Sequence, residues 1–132
     1  MNSEAVYGPT NPGPGTQANQ KVKRYGSVIR LRPEQEKTYR ELHADVWPQI
    51  LNRLRLSNIK NYSIYLHEIE GTKLLFSYME YTGENFEKDM QAIAEDPETQ
   101  RWWEFTDPCQ NPLPSDNPGQ NWTPMELIFH MS

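Results

Sequence analysis

The sequence has little cysteine, little positive charge and no long apolar run. Cys109 is the only cysteine in 132 residues, which excludes an intrachain disulfide and a cysteine-based metal site and best fits a reducing cytoplasm. The three histidines are too scattered to suggest a metal site. No run of about 18 apolar residues occurs, so we expect no membrane-spanning helix. The net charge of −5 argues against a general nucleic-acid surface, which needs a basic patch.

The N-terminal segment and one later stretch differ in composition from the rest of the chain. Residues 1–21 contain proline and glycine without a period and almost no apolar side chains, which predicts a disordered tail. This segment also lacks the apolar core of a signal peptide, so we expect none. Residues 22–132 have the length of a single domain with a modest core. Within them, residues 108–124 are rich in proline and predict a long irregular surface loop.

Between these stretches, strand and helix patterns alternate. The predicted strands are residues 25–31, 59–67, 73–81 and 125–131, and the predicted helices are residues 33–56, 85–95 and 98–105. The order β-α-β-β-α-β predicts the α+β class, with a ferredoxin-like antiparallel sheet and helices on one face. The other face of such a small sheet must be covered, so we expect a homodimer that forms a dimeric α+β barrel.

The helix predicted from Pro33 places a histidine on its apolar side. On a wheel of about 100° per residue, His43 lies in one arc with Tyr39 and Trp47, which are spaced four residues apart. We expect Pro48 to kink or restart this helix. Two interpretations fit His43: a neutral, hydrogen-bonded core residue, or a general acid or base, since its ordinary pKa of about 6.5 lies near working pH. The helix pattern alone favours the core interpretation.

Aromatic residues are the other candidates for a site. Tyr39 is either a core aromatic with its hydroxyl at the edge or a hydrogen-bond donor to a substrate. Tyr62 lies on the apolar face of the second strand, and the alternation alone favours a cross-strand aromatic. Trp102 and Trp103 are adjacent, and since successive helical residues point about 100° apart, one ring tends to leave the core. The pair fits two interpretations about equally well. Either the rings form a platform for a sugar, or one ring lies in the core and the other at a dimer interface.

Several motifs occur together in a fixed order. They are Tyr39-Arg-Glu-Leu-His43-Ala-Asp-Val-Trp47-Pro48, Asn61-Tyr62-Ser-Ile-Tyr65-Leu66, Leu74-Leu75-Phe76, Gln100-Arg101-Trp102-Trp103 and Glu126-Leu127-Ile128-Phe129. In this order and spacing they resemble the L-rhamnose mutarotase family over residues 23–131. The combination of a tyrosine–histidine–tryptophan run, an Asn-Tyr pair and an Arg-Trp-Trp run is specific.

The resemblance implies a ferredoxin-like dimer that interconverts the anomers of L-rhamnose with no metal or cofactor. It implies that His43 is catalytic, as the proton donor, and that Tyr39, Tyr62, Trp102 and Trp103 bind a monosaccharide. The implied partners are this small molecule and a second copy of the chain, with no nucleic acid and no membrane. The sequence departs from the family in three places: Ala-Asp-Val after the histidine, Glu-Phe-Thr-Asp-Pro and a longer proline-rich loop after the tryptophans, and an extra N-terminal tail. These departures leave the catalytic positions intact and leave the sugar's identity open.

Three other functions fit parts of the same pattern. One is the same chemistry on another sugar such as L-fucose, which the sequence does not separate from L-rhamnose. Another is a dimeric ferredoxin-like monooxygenase that acts on aromatic or haem substrates, although the Tyr-x-x-x-His and Arg-Trp-Trp motifs argue against it. The third is a non-catalytic ligand-binding module, because a fold does not determine a function.

Overall fold

A computed structural model describes residues 6–11, 13–114 and 120–132. The helices are α1 (Gly13–Ala18), α2 (Glu36–Ala44), α3 (Pro48–Leu56), α4 (Phe86–Glu95) and α5 (Pro97–Thr106). The strands are β1 (Lys23–Leu31), β2 (Ile59–Ile69), β3 (Thr72–Tyr81), β4 (Gln110–Asn111) and β5 (Thr123–Met125). Two 3-10 turns, Pro33–Gln35 and Asp107–Cys109, precede α2 and follow α5. In these ranges, no helix is long and apolar enough to cross a membrane.

The strands form one antiparallel sheet in the order β2-β3-β1-β4, and β5 pairs with β1 on the same edge as β4. The central pair runs from Lys23 opposite Tyr81 to Arg30 opposite Leu74. The predicted α+β, ferredoxin-like plan is confirmed, with β1 and β3 at the centre of the sheet. The place of the fourth strand in the sheet is filled by two short strands, β4 and β5, which pair with opposite halves of β1.

The core lies between the sheet and the helices that cover one of its faces. One cluster centres on Ile29 and Leu75, neighbours across β1 and β3. A second cluster centres on Tyr81, which packs against Ile59 and Ile93. The Tyr81 hydroxyl donates a hydrogen bond to the Asp89 carboxylate, so α4 is tied to the sheet by a polar contact as well as by apolar packing.

The helix predicted over residues 33–56 is two helices, α2 and α3, joined by residues 45–47. Trp47 is extended, with φ −54° and ψ 133°, because the residue before a proline is sterically kept out of the helical region. Pro48 then takes the first position of α3, where its missing N–H is not needed. The prediction that Pro48 restarts the helix is confirmed, and the break turns Trp47 towards α5.

Strand β2 contains a bulge that sets the direction of Tyr62. The register shifts between Lys60 and Ser63, so β2 carries one residue more than β3 at this point. Asn61 has a φ of 48°, in the left-handed region that asparagine enters more readily than most residues, and its Nδ2 donates to Glu80 Oε1 at 2.8 Å. Tyr62 therefore faces the helices and reaches the site described below.

The strand predicted at residues 125–131 is wrong, because β5 ends at Met125. Met125 pairs with Gly26, so only residues 23–25 of β1 remain beyond it to pair with. The following Leu-Ile-Phe run has no two-residue alternation, and Ile128 and Phe129 stay exposed in the single chain. This segment instead meets the N-terminal residues, where the His130 N–H donates to the Thr10 carbonyl oxygen at 3.1 Å.

Two predicted segments fall partly outside the described residues. Of the predicted tail, residues 1–5 and 12 lie outside, and α1 lies beside β1 and the C-terminal segment, where Pro14 and Gln17 form a groove with Tyr25 and Leu127. Disorder of residues 1–21 and a domain of residues 22–132 stay predictions. Of the predicted loop 108–124, residues 115–119 lie outside. The rest is more regular than predicted, since it contains most of a 3-10 turn, β4 and the first two residues of β5.

Candidate active site

A cavity of about 330 Å³ lies between α2, α5 and β2. This volume is within the range of about 300–1,000 Å³ that is usual for small-molecule sites. All five residues predicted from the sequence, His43, Tyr39, Tyr62, Trp102 and Trp103, line it. The other lining residues are Ile64, Thr106, Asp107, Gln110, Asn121 and Trp122.

His43 lies on the last turn of α2, with one ring nitrogen tied to the helix backbone. Its Nδ1 is 2.9 Å from the carbonyl oxygen of Tyr39. A carbonyl oxygen only accepts, so Nδ1 carries the hydrogen and Nε2 keeps its lone pair. Burial lowers the pKa of His43 below its ordinary value of 6.5, and the hydrogen bond to Tyr39 opposes this shift. The site therefore holds a neutral imidazole whose Nε2 is free to accept a proton.

Tyr39 is buried beneath this imidazole and supports it. The two rings stack, with centroids 4.1 Å apart. The Tyr39 hydroxyl accepts a hydrogen bond from Gln110 Nε2 at 3.3 Å. Burial raises the pKa of Tyr39 well above its ordinary value of 10, so the hydroxyl stays protonated and is available as a donor.

The adjacent tryptophans of α5 lie in different surroundings, one buried and one partly exposed. Trp102 is only 7% exposed, and its ring meets His43 edge-on at 5.4 Å and Trp47 at 5.0 Å, measured between ring centroids. Trp103 is 39% exposed and lines the cavity at its solvent side. Trp47 does not line this cavity and supports Trp102 from behind. The expectation that one ring of the pair leaves the core is confirmed.

The start of α5 is fixed by its own sequence. The Asp96 side chain accepts a hydrogen bond from the Thr99 N–H at 2.9 Å, which caps the helix, and Pro97 takes the first helical position. Both features hold the helix in register, so the two tryptophans one turn later have fixed positions.

Five polar or aromatic lining residues were missed by sequence reasoning: Thr106, Asp107, Gln110, Asn121 and Trp122. All five fall in the stretch predicted as an irregular loop or directly before it. Asp107 lies four residues after Trp103, a helical spacing that would have found it had the helix been continued by one turn. For Asn121 and Trp122 the sequence carries no comparable signal, because their position depends on where β5 joins the sheet.

The cavity continues on the α3 side into an apolar space of about 300 Å³. The second space is completed by side chains such as Ile50 and Leu54. The residues that line both spaces are His43, Tyr62, Ile64 and Trp102. Across the described ranges, no three His, Cys, Asp or Glu side chains are grouped so that they could hold a metal ion. The site therefore has a polar part, an apolar part and a neutral histidine where they meet.

The protein is an antiparallel α+β domain with a small-molecule site. The site has aromatic walls and a neutral histidine, a residue suited to acid–base chemistry. A family model described as L-rhamnose mutarotase matches residues 24–131. The L-rhamnose mutarotases of Oceanobacillus iheyensis and Phocaeicola vulgatus are 30% and 31% identical to this chain over 110 residues, which is 83% of this chain and 99% of each relative. The chain belongs to the L-rhamnose mutarotase family, as the motifs predicted.

The fold agrees with a solved structure. The crystal structure of L-rhamnose mutarotase from Formosa agariphila matches with a TM-score of 0.62 at 24% identity. The match covers 83% of this chain and 99% of that one. The two proteins share their fold over most of this chain.

Proposed function

We propose that this protein is a mutarotase that interconverts the α and β anomers of L-rhamnose, or of a related 6-deoxy sugar, by acid–base catalysed ring opening and closing. Membership of the family supports the class of reaction. The observation that carries the proposal is His43, whose Nδ1 is held by the Tyr39 carbonyl while Nε2 is left for a ligand in an aromatic-walled cavity.

Mutarotation breaks the C1–O5 bond of the pyranose and forms it again on the other face of C1. A base removes the proton of the O1 hydroxyl while O5 receives a proton, which gives the open-chain aldehyde. After rotation about C1–C2, the same proton transfers run in reverse and close the ring. Positioned acid–base groups are worth about 10²–10⁴-fold in rate, which is sufficient for a reaction that already proceeds unaided in water.

His43 is the main proton-transfer group in this proposal. Its neutral Nε2 takes the O1 proton, and the imidazolium so formed is a proton donor for O5, which is bonded to the same carbon. The protonated hydroxyls of Tyr39 and Tyr62 hold sugar hydroxyls in place. No group has to change its protonation state before substrate binds, because burial keeps His43 neutral.

The rest of the cavity suits a 6-deoxy sugar. The rings of Trp102 and Trp103 offer flat apolar surfaces to the C–H groups of the pyranose. The apolar space beside Ile50 and Leu54 has room for the C6 methyl group. A hydroxyl at C6 would lie among mostly apolar side chains there, at a free-energy cost.

The homodimer and the cytoplasmic location are also part of the proposal. The sheet face turned away from the helices carries Val28, Phe76 and Tyr78, next to Tyr65, which is 65% exposed. A second copy of the chain would cover this face and bury its aromatic side chains. The single buried thiol, Cys109, fits a reducing cytoplasm. The partner in catalysis is a free monosaccharide, with no nucleic acid or membrane.

Saturation-transfer proton NMR on the anomeric signals of L-rhamnose, with and without the protein, tests the proposal. We expect faster anomer exchange with the protein. The same measurement on L-fucose shows which of the two sugars is the substrate. Faster exchange for L-fucose alone would keep the mechanism and change the substrate. No acceleration for either sugar, with retained sugar binding, would favour a binding module. Oxygen uptake with aromatic substrates would instead indicate a monooxygenase.

A further inference from the structure

The cavity contains a carboxylate, Asp107, that the mechanism above does not use. Asp107 lies where α5 passes into the 3-10 turn, and its backbone is held on both sides. Its N–H donates to the Trp103 carbonyl oxygen, and its own carbonyl accepts from the Gln110 N–H. The neighbouring Thr106 and Cys109 side chains are buried in the core. Asp107 therefore lines the cavity from a backbone that these contacts hold in place.

The Asp107 carboxylate is available to a ligand. Within residues 6–11, 13–114 and 120–132, it accepts no hydrogen bond and pairs with no cation. Asp107 is exposed in the single chain, and partial burial of its carboxyl group raises its pKa above the ordinary value of 3.8. An ionised carboxylate has about four acceptor sites, and hydrogen bonds to a charged acceptor are stronger than those between neutral groups.

The charges of the lining indicate what kind of ligand fits. The other titratable side chains lining the cavity are Tyr39, His43 and Tyr62, and no lysine or arginine is among the described lining residues. His43 and the tyrosines are neutral near pH 7, so Asp107 is the only fully charged side chain among the described lining residues. A negative site repels carboxylate and phosphate groups and favours a neutral molecule with several O–H donors.

We propose that Asp107 is a substrate-binding residue whose carboxylate accepts hydrogen bonds from two neighbouring hydroxyls of the sugar and so sets which face of the ring meets His43. This inference deepens the proposed function and rests on it for the identity of the ligand. Because α5 carries both Trp103 and Asp107, the apolar and polar contacts to one sugar come from a single rigid element. Asp107 orients the sugar, and proton transfer stays with His43.

The test compares wild-type protein with Asp107→Asn and with Glu104→Gln, a matched loss of one charge on the exposed side of the same helix. Binding of L-rhamnose is measured by titration calorimetry, and exchange is measured by NMR as above. Replacing a charged hydrogen-bond acceptor is expected to lower both the affinity and kcat/KM about 10- to 100-fold, mainly through KM, whereas Glu104→Gln stays within twofold of wild type. D-galacturonate, an acidic sugar, is expected not to bind the wild-type protein.

Deoxy sugars identify the hydroxyls that Asp107 contacts. Wild-type protein should lose most affinity for the one or two of the 2-, 3- and 4-deoxy derivatives of L-rhamnose that lack these groups, and Asp107→Asn should not discriminate against the same derivatives. Thermal unfolding checks that each variant folds, and if Asp107→Asn does not, Asp107→Ser takes its place.

The outcomes separate this inference from the proposed function. Wild-type affinity in the Asp107 variants, or deoxy-sugar penalties that the substitution leaves unchanged, would overturn the role of Asp107. Sugar binding that depends on Asp107 without faster exchange would uphold it and overturn the mutarotase proposal. Absence of L-rhamnose binding by the wild-type protein would overturn both.

Discussion

The Nδ1 atom of His43 lies 2.9 Å from the carbonyl oxygen of Tyr39, one helical turn earlier, and the rings of the same two residues stack at 4.1 Å. The backbone of Tyr39 thus selects the tautomer of the imidazole, and its side chain fixes the tilt of the ring. Both constraints come from a spacing of four residues within α2. Nε2 is the nitrogen that remains for chemistry, and its direction depends on α2 staying helical as far as His43.

Replacing His43 by alanine should abolish most of the acceleration of anomer exchange. The loss of the proton-transfer group is expected to reduce kcat by about 10²–10⁴-fold. Saturation-transfer NMR measures the rate, and Glu41→Ala, on the exposed face of the same helix, is the control. Near-normal exchange in His43→Ala would show that another group carries the proton.

The rate of exchange should depend on pH in a way that follows the lowered pKa of His43. Because burial favours the neutral imidazole, the rate should stay level from pH 8 to about 6.5 and fall only at lower pH, where Nε2 becomes protonated. The unfolded chain binds this proton more tightly than the folded one, so the free energy of unfolding should also decrease as pH falls below about 6.5. A rate that declines already between pH 8 and 7 would contradict a lowered pKa.

The two tryptophans should respond differently to truncation. Trp102→Ala removes a buried ring that contacts His43 and Trp47, and it is expected to lower the free energy of unfolding by about 3–5 kcal/mol. Trp103→Ala removes a half-exposed ring and is expected to cost less than about 1 kcal/mol, while raising KM for the sugar. Urea unfolding and exchange kinetics on both variants check this. Equal losses of stability would mean that Trp103 belongs to the core.

A negative charge introduced at position 65 should dissociate the proposed dimer. Tyr65 is 65% exposed in the single chain, so Tyr65→Glu leaves the monomer fold intact, but it would place two like charges in a shared apolar face. Light scattering coupled to gel filtration is expected to give twice the chain mass for the wild type and the chain mass for the variant. Thr38→Glu, on the exposed face of α2, should remain dimeric. A monomeric wild-type protein would refute the dimer.

The sequence predicts the local elements well because their signals are local. Pro48 both ends one helix and begins the next through its fixed φ and missing N–H, and these effects need no information from the rest of the chain. The arc that joins Tyr39, His43 and Trp47 likewise follows from helical geometry alone. The family motifs then bring together five residues that the structure places in one cavity.

Features that depend on how strands pair could not be predicted from the hydrophobic pattern of the sequence. The bulge at Asn61 arises from the match between β2 and β3, and a strict alternation gives no sign of the extra residue. The end of β5 depends on how much of the β1 edge is left to pair, which no run of apolar residues encodes. Asn121 and Trp122 reach the cavity only because β5 joins the sheet where it does. Asp107 lies in the 3-10 turn that continues α5, and the predicted helix stops at residue 105, before that turn.

The cavity takes its histidine from α2, whereas Trp102, Trp103, Asp107 and Gln110 all come from one continuous run of α5, the following turn and β4. On the proposed roles, the step common to all aldose sugars resides in α2, whereas the second segment supplies the tryptophan rings and the carboxylate that orient the sugar. Exchange of the second segment between relatives could therefore produce a new substrate preference in a single event, with the proton-transfer apparatus inherited unchanged.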